Sequence, residues 1–234
     1  MSDLNDSLKW ELKKNPLFRD LDAGAFDNLL RAAQPRVYKT RAAIFHEGDP
    51  GGSMLMVLSG QIKISGIAPN GKECVLAFMG PGEVIGEITL LDGGDRTASA
   101  EAMEPSRVLE LTRTAFMSAL NESPPTALKI IEILCKRLRT TSQMVEDYTL
   151  LTAGPRLART LLRLAESNGA KHEHGIVIDL HLSQSTLGAH AGLLRESVNR
   201  QLRAWEDEKV IERDGDRIVI LREDTLLDVS EGGA

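Results

Sequence analysis

Between residues 131 and 152 apolar side chains return every seven positions. One row reads Ile131, Leu138, Val145 and ends at Thr152; a second, offset by three, reads Leu134, Thr141, Tyr148. Two such rows make a seam along one face of a helix, and a seam left in water calls for a second helix to cover it. A partner copy of the same chain is therefore the first expectation. The seam is interrupted, because Thr141 stands in the second row with Thr140 before it and Ser142 after it. Hydroxyls at such positions weaken a coil unless something hydrogen-bonds them. The residues alone allow two explanations: a polar residue that sets register, or a ligand bound against the helices.

This helix divides the chain into unlike parts. Upstream, residues 5–33 carry helical apolar spacing at Leu17, Leu21, Phe26, Leu29 and Leu30. From about residue 37 to 111 the pattern becomes short strands broken by glycines: 54–58, 61–67, 73–78 and 107–111. Pro69-Asn70-Gly71-Lys72 predicts a type I′ hairpin turn, with positive φ at both Asn70 and Gly71. Strands at this spacing predict an antiparallel barrel or roll. A helix then starts near Thr114 and breaks at Ser123-Pro124-Pro125. Downstream, residues 155–167 predict an amphipathic helix with Pro155 in its first turn and Asn168-Gly169 at its end. A strand over 176–180 leads to helix 184–191, a turn at Gly192, helix 194–207 and a hairpin turning at Asp214-Gly215. Helix, short glycine turn, helix and β-wing form a winged helix-turn-helix. The fold class expected is α+β, with a jelly-roll-like β-roll, a long coiled-coil helix and a winged helix-turn-helix. The domain boundaries follow as 1–123, 124–152 and 153–234.

The balance of charge limits the partners. A net charge of −6 over 234 residues argues against indiscriminate coating of nucleic acid, so a DNA-binding surface must be a local patch. No apolar run is long enough to cross a membrane, and the first twenty residues leave no signal-peptide core, so a cytoplasmic protein is expected. Cys74 and Cys135 are too few for a disulfide framework or an iron–sulfur cluster and read as reduced, buried, small hydrophobes.

The stretch GPGEVIGEITLLDGGDRTASAEA, residues 80–102, holds the residue types of an anion cradle. A glycine before Glu87 lets backbone approach a ligand, and residues 87–92 can form a short helix with its N-terminal amides aimed at an anion. Arg96 offers a planar fork to two phosphate oxygens with the Thr97 hydroxyl beside it. Glu87 suits a ribose 2′-hydroxyl rather than a phosphate. On residues alone, a surface turn with an ordinary Arg–Asp pair fits equally well.

In order, Glu47-Gly48, Gly60, Pro81-Gly82, Gly86-Glu87 and Arg96-Thr97-Ala98 resemble a cyclic-nucleotide-binding β-roll. With the long helix and winged helix following, residues 17–221 resemble bacterial regulators of the cyclic-AMP receptor protein/fumarate–nitrate regulator family, in its cyclic-AMP-binding branch. The resemblance implies that Gly86, Glu87 and Ile88 meet the ribose and that Arg96, Thr97 and Ala98 grip the cyclic phosphate. The long helix carries Arg137-Leu138-Arg139-Thr140-Thr141-Ser142 where that branch has R-L-x-x-T-S. Arg137 and Thr141 would then serve their own subunit's ligand, Thr141 on the adenine amino group, and Ser142 would reach the partner's. Ile64, Leu76 and Met79 would line the base. The segment from Glu87 to Arg96 is one residue shorter than in the best-known member, a departure that touches loop geometry and not ligand class.

Residues 195–203, RESVNRQLR, form a local positive excess in an acidic chain. Arginine suits the N7/O6 edge of guanine and glutamate the cytosine amino group. Arg195-Glu196-x-x-x-Arg200 matches the branch's R-E-x-x-x-R triplet and implies a TGTGA-like half-site, inverted across a dimer axis. Asn199 shares the reading face, and Ser197 and Ser183 are placed for phosphates. Leu194 stands where a hydroxyl residue is usual. The family also implies contact with RNA polymerase through residues 166–175, although the residues there differ too much to carry contacts over.

Other chemistries fit less well. No cysteine precedes Cys74 for an iron–sulfur sensor, His46 is a poor haem ligand beside a turn, and His172 and His174 lack a nearby third zinc ligand. A hydrolase built on Glu87 and Arg96 lacks a nucleophile–base pair. The expectation is a homodimeric, non-enzymatic regulator of double-stranded DNA, with no metal and no membrane. Its expected effector is a cyclic nucleotide, cAMP first, with cGMP, another effector or a ligand-independent mode as alternatives.

Overall fold

Helix α5 (Pro124–Leu150), 27 residues long, begins where two prolines follow a serine. Ser123 Oγ accepts the Thr126 N–H at 3.4 Å, while Pro124 and Pro125 occupy first-turn positions that have no intrahelical donor role. The computed structural model describes residues 2–232, with side chains from Leu8 onward. The chain divides into two compact units, one of Met1–Gly66 with Ala77–Thr140 and one of Ile67–Leu76 with Thr141–Ala234.

In the first unit, α1 (Ser2–Lys14) and α2 (Ala23–Ala32) precede the strands, with Asp22 capping α2 through Ala25 N–H at 2.8 Å. The strands are β1 (Gln34–Tyr38), β2 (Ala43–Phe45), β3 (Ser53–Ser59), β4 (Ile62–Ile67), β5 (Glu73–Met79), β6 (Val84–Ile85), β7 (Ser99–Ala102) and β8 (Ser106–Thr112). They form two sheets, β1-β8-β3-β6 and β2-β7-β4-β5, a β-roll in an α+β architecture. Helix α3 (Glu87–Asp92) lies between β6 and β7, and α4 (Arg113–Glu122) follows β8.

Strand β3 shows why the sequence reads Met-Leu-Met-Val rather than alternating. Met54 and Met56 enter a core with Phe26, Leu29 and Phe116 of the helices and Phe18 of the turn between α1 and α2. Leu55 and Val57 enter a second core with Ile62, Ile85 and Ala100 inside the roll. A strand buried on both faces loses the polar alternation of a half-exposed one.

The hairpin between β4 and β5 departs from expectation. Gly71 has φ +79, but Asn70 is not among the residues of positive φ. Gly71 N–H donates to the Ala68 carbonyl at 2.8 Å and Asn70 Oδ1 accepts Lys72 N–H. The turn thus runs over 68–71 with Pro69 and Asn70 at its centre, where the fixed negative φ of proline excludes type I′ and suits a type I turn closed by one left-handed glycine.

The second unit contains α6 (Ala153–Asn168), β9 (Gly169–His172), β10 (Gly175–Ile178), α7 (Gln184–Ala191), α8 (Arg195–Asp207), β11 (Ile211–Asp214), β12 (Arg217–Ile220) and α9 (Glu223–Ser230). Its sheet runs β11-β12-β10-β9. Residues 169–172, which follow the helix end expected at Asn168-Gly169, form an edge strand paired with β10, and α9 adds a helix beyond the wing. His172 and His174 are exposed on this hairpin, and no group of three potential metal ligands gathers among the described residues. No described helix is long and apolar enough to cross a membrane.

Two corrections concern α5. Cys135 is exposed and Cys74 only partly buried, because Cys135 falls on the outward face of the helix rather than in a core. Tyr148, expected in the seam, is half-buried, with its hydroxyl donating to the His190 carbonyl at 2.7 Å. Its ring packs on Gly192, where φ is +65 and an added Cβ would lie 3.1 Å from the ring. One helical turn before Leu151, the buried Asp147 carboxylate receives Arg159 at 2.9 Å and also Arg163, both from α6.

His190 is buried, with Nδ1 2.9 Å from the Val75 carbonyl. Burial pushes its imidazole below the ordinary value; the Val75 carbonyl opposes this and the Arg163 charge adds to it. The unfolded chain therefore binds this proton more readily than the folded one, so the stability is present above pH ~6.5 and is lost as pH falls below it. The melting temperature should drop between pH 7.5 and pH 5.5, and His190→Asn should flatten that drop. A parallel fall in both proteins would clear His190 as its cause.

Candidate effector site and nucleic-acid interface

The site in the first unit is built around a left-handed glycine. Gly86 ends β6 and caps α3 with φ +78, a conformation that side chains disfavour. A Cβ there would come within 2.1 Å of Arg96 Nη1, so the bare backbone is what admits the guanidinium. Arg96 Nη1 donates to Thr89 Oγ1 at 3.1 Å and to the Gly86 carbonyl at 3.3 Å, and Nη2 donates to Ser53 Oγ at 3.3 Å. The Phe45 ring lies 4.3 Å from the guanidinium carbon, within cation–π range. Gly48 N–H donates to the Arg96 carbonyl and Arg96 N–H to the Asp49 carbonyl, each at 2.8 Å, which fixes the arginine's backbone to the turn at 47–49.

Arg96 is buried, and its Nε–H donates to no described residue. Burial pushes its pKa down, while Glu110, Asp49 and Glu87 push it back up. A desolvated cation with an unmet donor is a receptor for an anion.

Glu87 begins α3 and is 1% exposed. Arg137 of α5 forms an ion pair with it, donates to the Val84 carbonyl and approaches Met79 Sδ at 3.8 Å. A carboxylate offers about four lone-pair directions, so the pairing leaves acceptor capacity for a hydroxyl. Ile64 and Met79 pack against one apolar cluster, Ala98 is buried beside Arg96, and Thr97 and Ile88 are exposed. Leu76, Thr141 and Ser142 belong to the second unit and are exposed.

In the second unit, Val198, Leu202 and Trp205 anchor α8, and Arg195, Glu196 and Arg200 point outward on its other face. Ser183 caps α7 through Thr186 N–H at 3.0 Å, and Gly188 lets the two helices close, since a Cβ there would lie 2.8 Å from the Leu193 carbonyl. Leu194 leaves α8 without a side-chain cap. Ser197 and Asn199 are half-buried.

Residues 35–123 match the family description of a cyclic nucleotide-binding domain, and residues 155–229 that of a Crp-like helix-turn-helix domain. The chain belongs to the cyclic-AMP receptor protein/fumarate–nitrate regulator family. It is 34% identical to the cyclic AMP receptor protein of Thermus thermophilus, over 93% of this chain and 97% of the relative. It is 29% identical to the CRP-like cAMP-activated global transcriptional regulator of Mycobacterium tuberculosis, over 88% and 96%. Among solved structures it resembles the c-di-GMP responsive global regulator CLP of Xanthomonas campestris, with a TM-score of 0.70 and 27% identity over 85% of this chain and 99% of that one. As a family member it is a cyclic-nucleotide-binding transcription regulator with a DNA-binding helix-turn-helix.

Within this family member the structure brings Gly86, Glu87, Arg96, Arg137 and Met79 into one region of the first unit. Sequence reasoning did not anticipate Phe45, Ser53 and Thr89 as the partners that hold Arg96, nor the Glu87–Arg137 ion pair. One signal was available: Gly51 sits against Thr89, where a Cβ would meet the Thr89 Cβ at 2.4 Å, and a glycine pair at 51–52 marks that approach.

Proposed function

We propose that this regulator is a homodimer switched by cAMP that, when loaded, binds an inverted TGTGA-like repeat and acts with RNA polymerase in the cytoplasm. The observation that carries the effector reading is Arg96, buried beneath Gly86 with its Nε unmet. A cyclic phosphate supplies two exocyclic oxygens to which this fork donates, and Glu87 supplies an acceptor for the ribose 2′-hydroxyl. Arg137 neutralises Glu87 from α5, so a sugar that engages the carboxylate acts on a residue already tied to the long helix. Thr97 and Ala98 follow Arg96 on the phosphate side, Ile88 follows Glu87, and Ile64, Leu76 and Met79 line the base.

The dimer reading rests on α5, where Ile131, Leu138 and Val145 are 52%, 68% and 58% exposed at heptad spacing. Residues 124–152 are then the dimerisation helix between an effector domain, 1–123, and a DNA domain, 153–234. Thr141 meets the adenine of its own subunit and Ser142 that of its partner, so the polar break in the seam becomes the place where ligand and dimer meet. Arg195, Glu196 and Arg200 read bases, Asn199 lies on their face, and Ser183 and Ser197 touch phosphates.

Threonine and serine hydroxyls both donate and accept, so they do not strongly exclude guanine. Calorimetry should find cAMP and cGMP binding with affinities within about tenfold of each other, because a ribose and phosphate shared by both ligands supply the charged contacts. A gel shift on a TGTGA-N6-TCACA duplex should respond to cAMP far more than to cGMP, since a ligand acts only through its preference between two arrangements. Failure of cGMP to bind, or equal action by both, removes this reading of the seam. A response to cyclic di-GMP and not cAMP replaces the effector. Recovery of cAMP unchanged after incubation supports a receptor and not an enzyme.

A further inference from the structure

On the outer face of α8 three charged residues, Arg195, Glu196 and Arg200, stand beside one amide that is held. No described residue pairs with the side chains of Arg195, Glu196 or Arg200. Gln184, the first residue of α7, donates from Nε2 to Asn199 Oδ1 at 3.3 Å across the helix-turn-helix. Both side chains are half-buried. Asn199 lies four residues after Arg195 and three after Glu196, so it shares their face of the helix.

This bond leaves Asn199 with a defined remaining capacity. One Oδ1 lone pair is taken by Gln184, and the second lone pair and both Nδ2 protons remain. Oδ1 accepting from N6 and Nδ2 donating to N7 is the bidentate contact that asparagine makes with adenine in the major groove. A long arginine reaches its base after losing several rotors, whereas an amide already held by a neighbour loses fewer.

Resting on the reading of α8 as the base-reading helix, we propose that Gln184 and Asn199 form a fourth reading element. Asn199 recognises an adenine in the half-site, within or beside the pairs read by the charged triplet. Gln184 is its positioning residue, on α7, and need not touch a base itself.

The test is selection by the full-length protein, with cAMP, from duplexes randomised over one half-site. The parent protein should enrich one A·T pair in addition to the G·C pairs, by roughly five- to a hundredfold, the range of one bidentate contact. Asn199→Ala should flatten that position and leave the G·C preferences intact. Gln184→Ala should weaken the adenine preference part-way while leaving affinity for a scrambled duplex unchanged. Gln184→Glu should abolish it, because a carboxylate only accepts and turns the Asn199 Nδ2 inward, away from N7. A purely structural pair would instead lower affinity for every duplex alike, which overturns the proposal. Unchanged A·T preference in Asn199→Ala overturns it as well, and unchanged preference in Gln184→Ala removes the positioning role. A parent that selects no sequence at all overturns the DNA reading and this proposal together; one that selects only G·C pairs overturns this proposal and the A·T positions of the half-site, and leaves the DNA reading standing.

Discussion

Arg96→Ala should abolish cAMP-dependent DNA binding and leave a folded protein of unchanged secondary structure. Arg96 is the single cation between residues 80 and 102, so nothing in the cassette substitutes for it. A charge-assisted contact contributes about 1.5–3 kcal/mol, and a two-pronged one more, so the affinity for cAMP should fall by about a hundredfold or beyond. Arg96→Lys should recover only part of this, because an ammonium cannot present a fork. Gly86→Ala should resemble Arg96→Ala although it alters no charge. Its Cβ would occupy the place of Nη1, and its φ of +78 would strain any side chain. Calorimetry with cAMP on the three variants separates a phosphate site from a structural arginine. Undiminished affinity in Arg96→Ala would falsify the assignment of the site.

Arg195→Ala should erase discrimination rather than binding. A bidentate contact to guanine discriminates by roughly 1–3 kcal/mol per base pair, and a dimer makes each contact twice. For the proposed dimer the ratio of affinities for the TGTGA-N6-TCACA duplex and a scrambled one should therefore fall by roughly thirtyfold to ten-thousandfold, while the scrambled duplex itself loses little. The acidic whole sharpens the experiment, since a chain of net charge −6 has little general affinity for DNA to mask the change. Equal weakening on both duplexes would make Arg195 a phosphate contact, and the orientation assigned to α8 would be wrong.

How much of this was legible beforehand depended on whether a pattern is local. Helix α7 was readable at 184–191 because a serine cap, an apolar row and a left-handed glycine sit within ten residues. The same holds for α3, announced by Gly86 and closed by Gly93. Strands β1, β2 and β7 were not marked out, since β1 is almost wholly exposed and β2 is three residues long. Neither the alternation of a half-buried strand nor an apolar run of useful length is present in β1 and β2, and β7 alternates over only four residues. Tyr148 was misplaced for another reason. Heptad spacing names the face of a helix but not where that face ends, and the phenol hydroxyl follows a buried carbonyl near the helix terminus. In the effector site the types Gly, Glu and Arg were legible, whereas Phe45, Ser53 and Thr89 were not: Phe45 and Ser53 meet Arg96 across long sequence separations, and Thr89, seven residues before it, faces it only once α3 has formed.

Asp147 gives the last turns of α5 an unusual kind of attachment. Its carboxylate accepts from Arg159 and Arg163, which stand one helical turn apart on α6. A single ion pair can swivel about its axis, but two donors on one carboxylate resist rotation as well as separation. Turning α5 against α6 would strip both partners at once and leave a buried charge, which costs about 3–5 kcal/mol. The two helix segments therefore behave as a shaft keyed to its wheel. Torsion that enters α5 after Thr141 reaches α6 without slack.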